Sequence, residues 1–579
     1  MIKYKLSFLP LIITIIVITS LSLGALFITI WFSRTSYSLL VNFITQTLKR
    51  PDLKPLIITS LFTYNKYKII YQFHWVLYPL IIIISGMLYY NSRLIHKNLL
   101  IVITYIQISF FHVLLFFKTL NWKEKLLLSF GCCLYVALVL YNNHLKEISY
   151  DEAWAYNYYI NKLFYFPLIL FNTYPLYNLI THFFTFLPFD TLINIRIPSL
   201  LFGVLTLLGL FYILYKLESL FLAGLGLMAL HASPLFYIYS SLSRGITLSL
   251  FLSVIVLHIT IRIITGSPFK KRYRFLYIIS NFLGIASMPT FIVYTLSASL
   301  FLIYLKHKQK LFVKTLLLST SIIFLGSFIF YFPVLLTSGS ALIYHNNHYV
   351  FNVFDTANKL TSFLFGLSQL FFVSKYVVIL LLFISLSLLF LKPLIHIKKI
   401  IVTYSLFVVM FTLAARAATG NIFPERSLNY VILFFIIILI WITGILLHWL
   451  SYWLKVTLAL SLFVLFSFSY IHNQKELFRP AEDKDAKIIG KLLIKNEVKT
   501  AYIDEEEFWY RVPMIQYYYS KGHKQITFST SSSNSTRYQP FNINNNYDCI
   551  VSKPSFGNTI NSLYKEIYRN NNFVLWKRL

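Results

Sequence analysis

The side chains best placed to do chemistry are two adjacent acids. In Ser149-Tyr150-Asp151-Glu152-Ala153-Trp154-Ala155-Tyr156 they follow closely on an apolar run at 126–142. Ser149 and Glu152 have the S-x-x-E spacing of a helix capping box, which puts Asp151 in a first helical turn. A cap accounts for Glu152 without any catalysis, and it predicts a mild Glu152→Gln, because glutamine satisfies the same box. Asp151 has no such duty. Beside a helix N-terminus and a membrane surface it is ionised, and an ionised carboxylate can take a proton from an acceptor hydroxyl. The helix dipole lowers its base strength, so it helps most where a hydroxyl is already losing its proton in a transition state.

Other reactive groups are scattered. His345, His348 and Asp355 resemble a metal cluster only on paper, and the outer loops hold no D-x-D, so neither a metal nor another cofactor is expected. Cys132 and Cys133 lie in an apolar run and Cys549 far downstream, which gives neither a disulfide framework nor zinc spacing. His182 lies on an aromatic helix face, where a hydrogen-bonded structural role is the common one.

The elements that must position these groups are membrane spans. Of 579 residues, 58% are hydrophobic and 12% charged, with a mean hydropathy of +0.68; soluble chains carry about 25% charged residues. The 55 Phe and 43 Tyr suit helices that end in membrane interfaces. A spanning helix needs roughly 20 apolar residues, and such runs recur to about residue 471. The expected spans are 7–32, 74–90, 98–117, 126–142, 197–215, 219–238, 246–264, 276–288, 290–305, 311–335, 376–392, 400–418, 427–449 and 455–471. The first is longer than a signal-peptide core and lacks a small-residue cleavage site, so it is expected to be retained.

The net charge of +31 would suggest nucleic acid in a soluble chain, but here most Lys and Arg cluster in short loops, as the positive-inside rule requires. No nucleic-acid partner is expected. Lys270, Lys271, Arg272 and Arg274 precede Leu276–Leu305, and Lys306, Lys308 and Lys310 follow it, so that run is expected to fold back as a hairpin at Met288-Pro289-Thr290. With Lys392, Lys398 and Lys399 as a further cytoplasmic loop, Asp151, Arg244, Ser340, Pro424 and the tail face outward. After about Tyr470 the composition turns to Lys, Glu, Asp, Asn and Ser. That tail is expected to form a small α/β soluble domain, with helices at 486–496 and 514–519 and strands at 500–503, 525–529, 548–551 and 572–576.

A resemblance emerges once these residues are set in order. An acidic pair at the start of the first large outer loop looks like the mark of GT-C glycosyltransferases. Tyr174-Pro175-Leu176-Tyr177, followed by Asn178 to His182, resembles the proline-led juxtamembrane helix of the protein O-mannosyltransferase and aminoarabinose-transferase branch. Arg196-Ile197-Pro198-Ser199 resembles that branch's R-x-P-S opening of the next span. Ser233-Pro234 through Tyr239-Ser240, with Arg244, is close to its S-P-x-x-x-x-Y-S pattern, and Pro424-Glu425-Arg426 is similar to its P-x-R-Y. There are departures: Gly245-Ile246 replaces an aromatic, Ser427 a tyrosine, and Met288-Pro289-Thr290 lacks a histidine common in relatives.

The resemblance implies an all-α polytopic membrane protein of about 11 to 14 transmembrane helices with a C-terminal α/β domain. The implied parts are an N-terminal extension at 1–125, a catalytic module at 126–471 with its outer loop at 143–196, and a soluble non-cytoplasmic domain at 472–579. It implies an inverting transfer of a sugar from a polyprenyl-phosphate carrier to a hydroxyl of a lipid, glycan or protein acceptor. The setting would be the outer face of a bacterial plasma membrane, with membrane lipid as a further partner. Asp151 is carried over as base, with Glu152 supporting it or contacting the acceptor. Arg244, Arg426 and Arg196 are the implied lipid-phosphate ligands, since a guanidinium suits bidentate phosphate contact; each would otherwise serve as an interface anchor. Tyr156 and His182 are the expected donor or acceptor contacts. The competing class is a transporter or flippase, which would place charges near the bilayer midplane and show repeated halves; here the acids avoid span centres and no repeat is visible.

Overall fold

A computed structural model describes residues 118–161, 174–338, 396–419, 428–449, 481–503, 512–520, 527–530, 539–540, 547–552, 564–569 and 572–579, with isolated positions elsewhere. The chain divides into two compact units, Met1–Lys125 with Ser533–Gln539, and Leu126–Ser532 with Pro540–Leu579. In the first, Tyr67 stacks on Tyr64 and Tyr71 at ring distances of 6.2 and 5.7 Å, and its hydroxyl donates to the Thr35 carbonyl.

The second unit is mostly helical. Among the described residues, five helices are long and apolar enough to cross a membrane: Trp122–His144, Thr191–Leu217, Ile246–Ile264, Lys310–Phe332 and Ile397–Ala415. Leu220–Ala232, Phe291–Leu305 and Val431–Ile445 are shorter apolar helices. Ile246–Ile264 is 78% buried over its apolar window, whereas Trp122–His144 and Lys310–Phe332 are 22% buried. The first therefore lies at the bundle centre and the other two turn most of their apolar surface outward, as lipid-facing helices do. Hydroxyls inside the spans bond back to carbonyls one turn earlier, as with Thr206 to Phe202 and Ser253 to Ser249, both at 2.8 Å. This satisfies them without water. The spans expected at 7–32, 74–90, 98–117, 376–392 and 455–471 fall largely outside the described residues.

The hairpin reading of 276–305 agrees with the structure. Helices Lys271–Ser287 and Phe291–Leu305 are separate, and Asn281 accepts from the Thr295 hydroxyl across them at 2.9 Å. Gly284 makes the fold-back possible, because a side chain there would run into the Phe291 ring. The single span expected at 219–238 is instead two helices, Leu220–Ala232 and Pro234–Ser240. Pro234 has no N–H to continue the first helix and suits the first turn of the second.

The C-terminal residues form a mixed sheet. Thr500–Ile503 pairs in parallel with Thr527–Thr530 on one side and Cys549–Ser552 on the other. Val574–Arg578 then pairs antiparallel with Cys549–Ser552 and with Tyr564–Arg569. The strand at 564–569 is half exposed and half charged and has no buried residue, which hides it from a hydropathy reading. Helices Ala481–Lys495 and Val512–Ser520 pack closely, with Gly490 leaving room for Tyr518.

Candidate active site

The capping box forms as its spacing predicts. Ser149 is the N-cap of Tyr150–Ala155; its hydroxyl accepts from Glu152 N at 3.4 Å, and its own N–H donates to Glu152 Oε2 at 3.0 Å. Asp151 stands in the first turn with its side chain 46% exposed. A π-helical turn, Tyr156–Ile160, continues the segment.

Glu152 does far more than cap. Arg196 Nε donates to Oε1 and a second guanidinium nitrogen to Oε2, both at 2.8 Å, in a bidentate pair with side chains 1% and 0% exposed. Ser243 N donates to Oε1 at 2.7 Å. Burial alone would raise the Glu152 carboxyl, but the Arg196 guanidinium and the backbone donors of Ser149 and Ser243 more than offset it and hold the group below the ordinary glutamate value. The mild effect first expected of Glu152→Gln is thereby overturned. An amide would turn an N–H toward donors, so that variant is now predicted to lower the unfolding temperature clearly, as a thermal scan would read.

Arg196 departs from its expected role as a phosphate ligand. Its remaining N–H groups reach the carbonyls of Lys146 and Glu147 at 3.0 Å and of Asn143 at 3.4 Å. The residue is 1% exposed, because the Asp190 cap starts its helix at Thr191 and carries Arg196 into the second turn, away from the helix end. It ties the first long helix, the capped helix and Thr191–Leu217 together.

Because Glu152 grips Ser243, the neighbours of both are brought face to face. Arg244 forms an ion pair with Asp151, and its guanidinium lies 5.7 Å from the centre of the Tyr239 ring. The stretch that carries Arg244 is fixed from several sides. Ser199 Oγ donates to the Leu242 carbonyl at 2.7 Å and lies 2.6 Å from the Tyr177 hydroxyl, and Ser287 Oγ donates to the Gly245 carbonyl at 3.1 Å. Gly245 itself is hemmed in: a Cβ there would come within 2.9 Å of the Tyr174 ring and 3.1 Å of Tyr177. So the residues of three motifs, Tyr174-Pro175-Leu176-Tyr177, Arg196 with Ser199, and the segment ending at Arg244, converge beside Asp151.

The other expected contacts are placed differently. His182 Nδ1 lies 2.7 Å from the Ile160 carbonyl, with Phe183 and Phe186 edge-on, which is a structural use. Tyr156 packs edge-to-face on Tyr517 at 5.1 Å, and burial, then the charge of Asp190, pushes its phenol up. Arg426, with Pro424 and Glu425, lies outside the described residues, as do His345, His348 and Asp355. Asn429, shortly after, donates to the Ile246 carbonyl at 2.6 Å.

The two C-terminal helices Ala481–Lys495 and Val512–Ser520 also reach this loop. Lys487 Nζ meets Glu147 Oε1 at 2.5 Å, the Tyr518 hydroxyl donates to Glu147 Oε2 at 2.6 Å, and Asn157 Nδ2 donates to the Pro513 carbonyl at 2.8 Å. These partners are 340 to 371 residues apart, and no local spacing signals them.

No family model and no curated protein sequence matches this chain. Among solved structures it is similar to ArnT from Cupriavidus metallidurans bound to undecaprenyl phosphate, at 9% sequence identity and a TM-score of 0.50, covering 77% of this chain and 97% of that one. The apo structure of ArnT from the same organism aligns over the same shares at 11% identity and a TM-score of 0.44. The first of these likenesses is one of fold, and it agrees with the GT-C resemblance that the motifs carry.

Proposed function

We propose that this protein is an inverting glycosyltransferase that moves a sugar from a polyprenyl-phosphate carrier to an acceptor hydroxyl on the non-cytoplasmic face of a bacterial plasma membrane. The observation that carries the reading is the convergence of Asp151 and Arg244, held by Glu152, Arg196, Ser199, Tyr177 and Ser243, at one end of the bundle. The shared fold with ArnT, whose structure holds undecaprenyl phosphate, supports a polyprenyl phosphate as the carrier.

In this reading Asp151 accepts the proton of the acceptor hydroxyl as its oxygen attacks the anomeric carbon from the side opposite the phosphate. The bond from that carbon to the phosphate oxygen breaks, and Arg244 stabilises the charge that grows on the leaving lipid phosphate. The arriving phosphate competes with Asp151 for the guanidinium. Once released from the ion pair, the carboxylate is a stronger base.

The transporter reading has less support. Among the described residues of the membrane module, the ion pairs Asp151–Arg244, Glu152–Arg196 and Glu218–Lys398 lie in loops or near helix ends and not at span centres. Mass analysis of envelope glycans and lipids, with and without the protein, tests the proposal. A missing sugar on one acceptor is the expected result. The same missing sugar with its lipid-linked precursor trapped on the cytoplasmic leaflet would replace the enzyme with a flippase, and an unchanged envelope would remove the proposal.

Two further outcomes are expected. In a variant lacking Cys132, Cys133 and Cys549, single cysteines introduced at the exposed Asn161 and Glu497 should both react with an impermeant reagent from the non-cytoplasmic side. Labelling of either from the cytoplasm sinks the proposed orientation. Arg244→Lys should lower turnover at least about tenfold, short of the roughly 10²- to 10³-fold expected of removing such a donor outright, because a point charge stays but the planar fork is lost. Its unfolding temperature should barely move, since backbone bonds to Ser199, Ser287 and Glu152 hold the segment. Full activity would make Arg244 an interface anchor.

A further inference from the structure

The helix Val512–Ser520 of the C-terminal domain lies along the segment that carries the candidate base, and its contacts follow one line. The Tyr518 hydroxyl donates to Glu147 Oε2 at 2.6 Å and lies 3.4 Å from Ile148 N, which donates to it. Lys487, on the companion helix Ala481–Lys495, holds the other Glu147 oxygen at 2.5 Å. Farther along, Tyr517 meets Tyr156 edge-on and the Pro513 carbonyl accepts from Asn157 at 2.8 Å. The two helices form a firm platform, because Gly490 lets Tyr518 Cβ approach more closely than any side chain there would allow.

Glu147 faces both ways. Its carboxylate belongs to this interface, while its carbonyl accepts from Arg196 at 3.0 Å, and Arg196 holds Glu152, the residue next to Asp151. A carboxylate between an ammonium and a phenol hydroxyl has a fixed direction. Its backbone then has little freedom to leave Arg196.

We propose that the C-terminal domain positions the catalytic segment through Glu147, so that Lys487 and Tyr518 are positioning residues for the reaction of Asp151. The kinetic half of this inference rests on the glycosyltransferase reading; the mechanical half does not. The domain is on this view part of the active enzyme and not an appended module. Its alignment of residues 147–157 sets how often Asp151 meets the acceptor hydroxyl in a productive arrangement. Losing one hydroxyl that bridges a carboxylate and a backbone N–H is expected to cost about tenfold in the population of the aligned segment.

The test uses the full-length purified protein with Tyr518→Phe, Lys487→Met and Lys487→Arg. Backbone hydrogen exchange is read over 147–157, with Ile246–Ile264 and Thr500–Ile503 as internal references. Tyr518→Phe and Lys487→Met should speed exchange in 147–157 by about tenfold and leave both references at wild-type rates, while Lys487→Arg retains protection. Turnover with the labelled polyprenyl-phosphate sugar identified from the envelope comparison should fall in parallel, with KM for that donor nearly unchanged. Wild-type exchange over 147–157 in both Tyr518→Phe and Lys487→Met overturns the proposal. Faster exchange with undiminished kcat also overturns it, since the segment would then be held but not used. Failure of the enzyme reading itself shows elsewhere, as a wild-type protein that transfers no sugar from the lipid-linked donor while the exchange effects over 147–157 remain.

Discussion

Asp151→Asn is expected to yield a folded protein that binds its lipid-linked donor and transfers sugar about 10²- to 10⁴-fold more slowly, the usual contribution of a general base. The geometry makes this a clean substitution. The capping box is made by Ser149 and Glu152, so the helix Tyr150–Ala155 does not need the Asp151 carboxylate. Asparagine has nearly the same volume, and its amide oxygen can still accept from Arg244. Asp151 is 46% exposed while Arg244 is only 7% exposed, so the amide oxygen that stays within reach of the buried guanidinium is what limits the loss of stability. What disappears is the proton acceptor. The measurement is transfer of a labelled polyprenyl-phosphate sugar, alongside donor binding and a thermal scan. Wild-type rates would remove Asp151 from the mechanism.

Arg196→Lys is expected to fail in the opposite way, by loss of the fold. The guanidinium engages both Glu152 oxygens and three backbone carbonyls from the end of the first long helix. A single ammonium cannot reach that spread of acceptors. Glu152 would keep its two backbone donors and a cation nearby but lose the bidentate fork, and the carbonyls of residues 146 and 147 would lose their donors; each buried charge-assisted hydrogen bond lost in this way costs about 1.5–3 kcal/mol. The readout is the thermal midpoint of the purified protein, with Arg569→Ala as reference. Arg569 pairs with Glu566 within the exposed strand Tyr564–Arg569, and its removal should leave the midpoint unchanged. A wild-type midpoint in Arg196→Lys would show that the Glu152 pair does not hold the three segments together.

The sequence made the larger elements readable because hydropathy and charge act locally. The run 246–264 appears as the helix Ile246–Ile264, and basic flanks marked the hairpin around Pro289. The S-x-x-E spacing was enough to place Asp151 in a first turn. The roles of the arginines were harder. Arg196 reads as the start of a span, since nothing local shows that Asp190 begins the helix earlier or that Glu152, 44 residues before, needs a counter-ion. Ser243 contributes a backbone N–H, which any residue except proline would supply, so its identity carries no signal. Glu147, Lys487 and Tyr518 meet only through tertiary folding across 340 to 371 residues, which no local pattern signals.

The buried Glu152–Arg196 pair also bears on biogenesis. Synthesis runs from the N-terminus, so the acid leaves the ribosome 44 residues before its partner. An arginine at the centre of an apolar span opposes insertion by roughly 2.5–3.5 kcal/mol, and less toward the end of the helix. Arg196, in the second turn of Thr191–Leu217, emerges when the carbonyls of residues 143–147 and the Glu152 carboxylate are already waiting. The segment made before that span thus holds the groups that pair with its arginine. A nascent chain that stalls between the two residues carries an acid whose arginine partner has not yet been made.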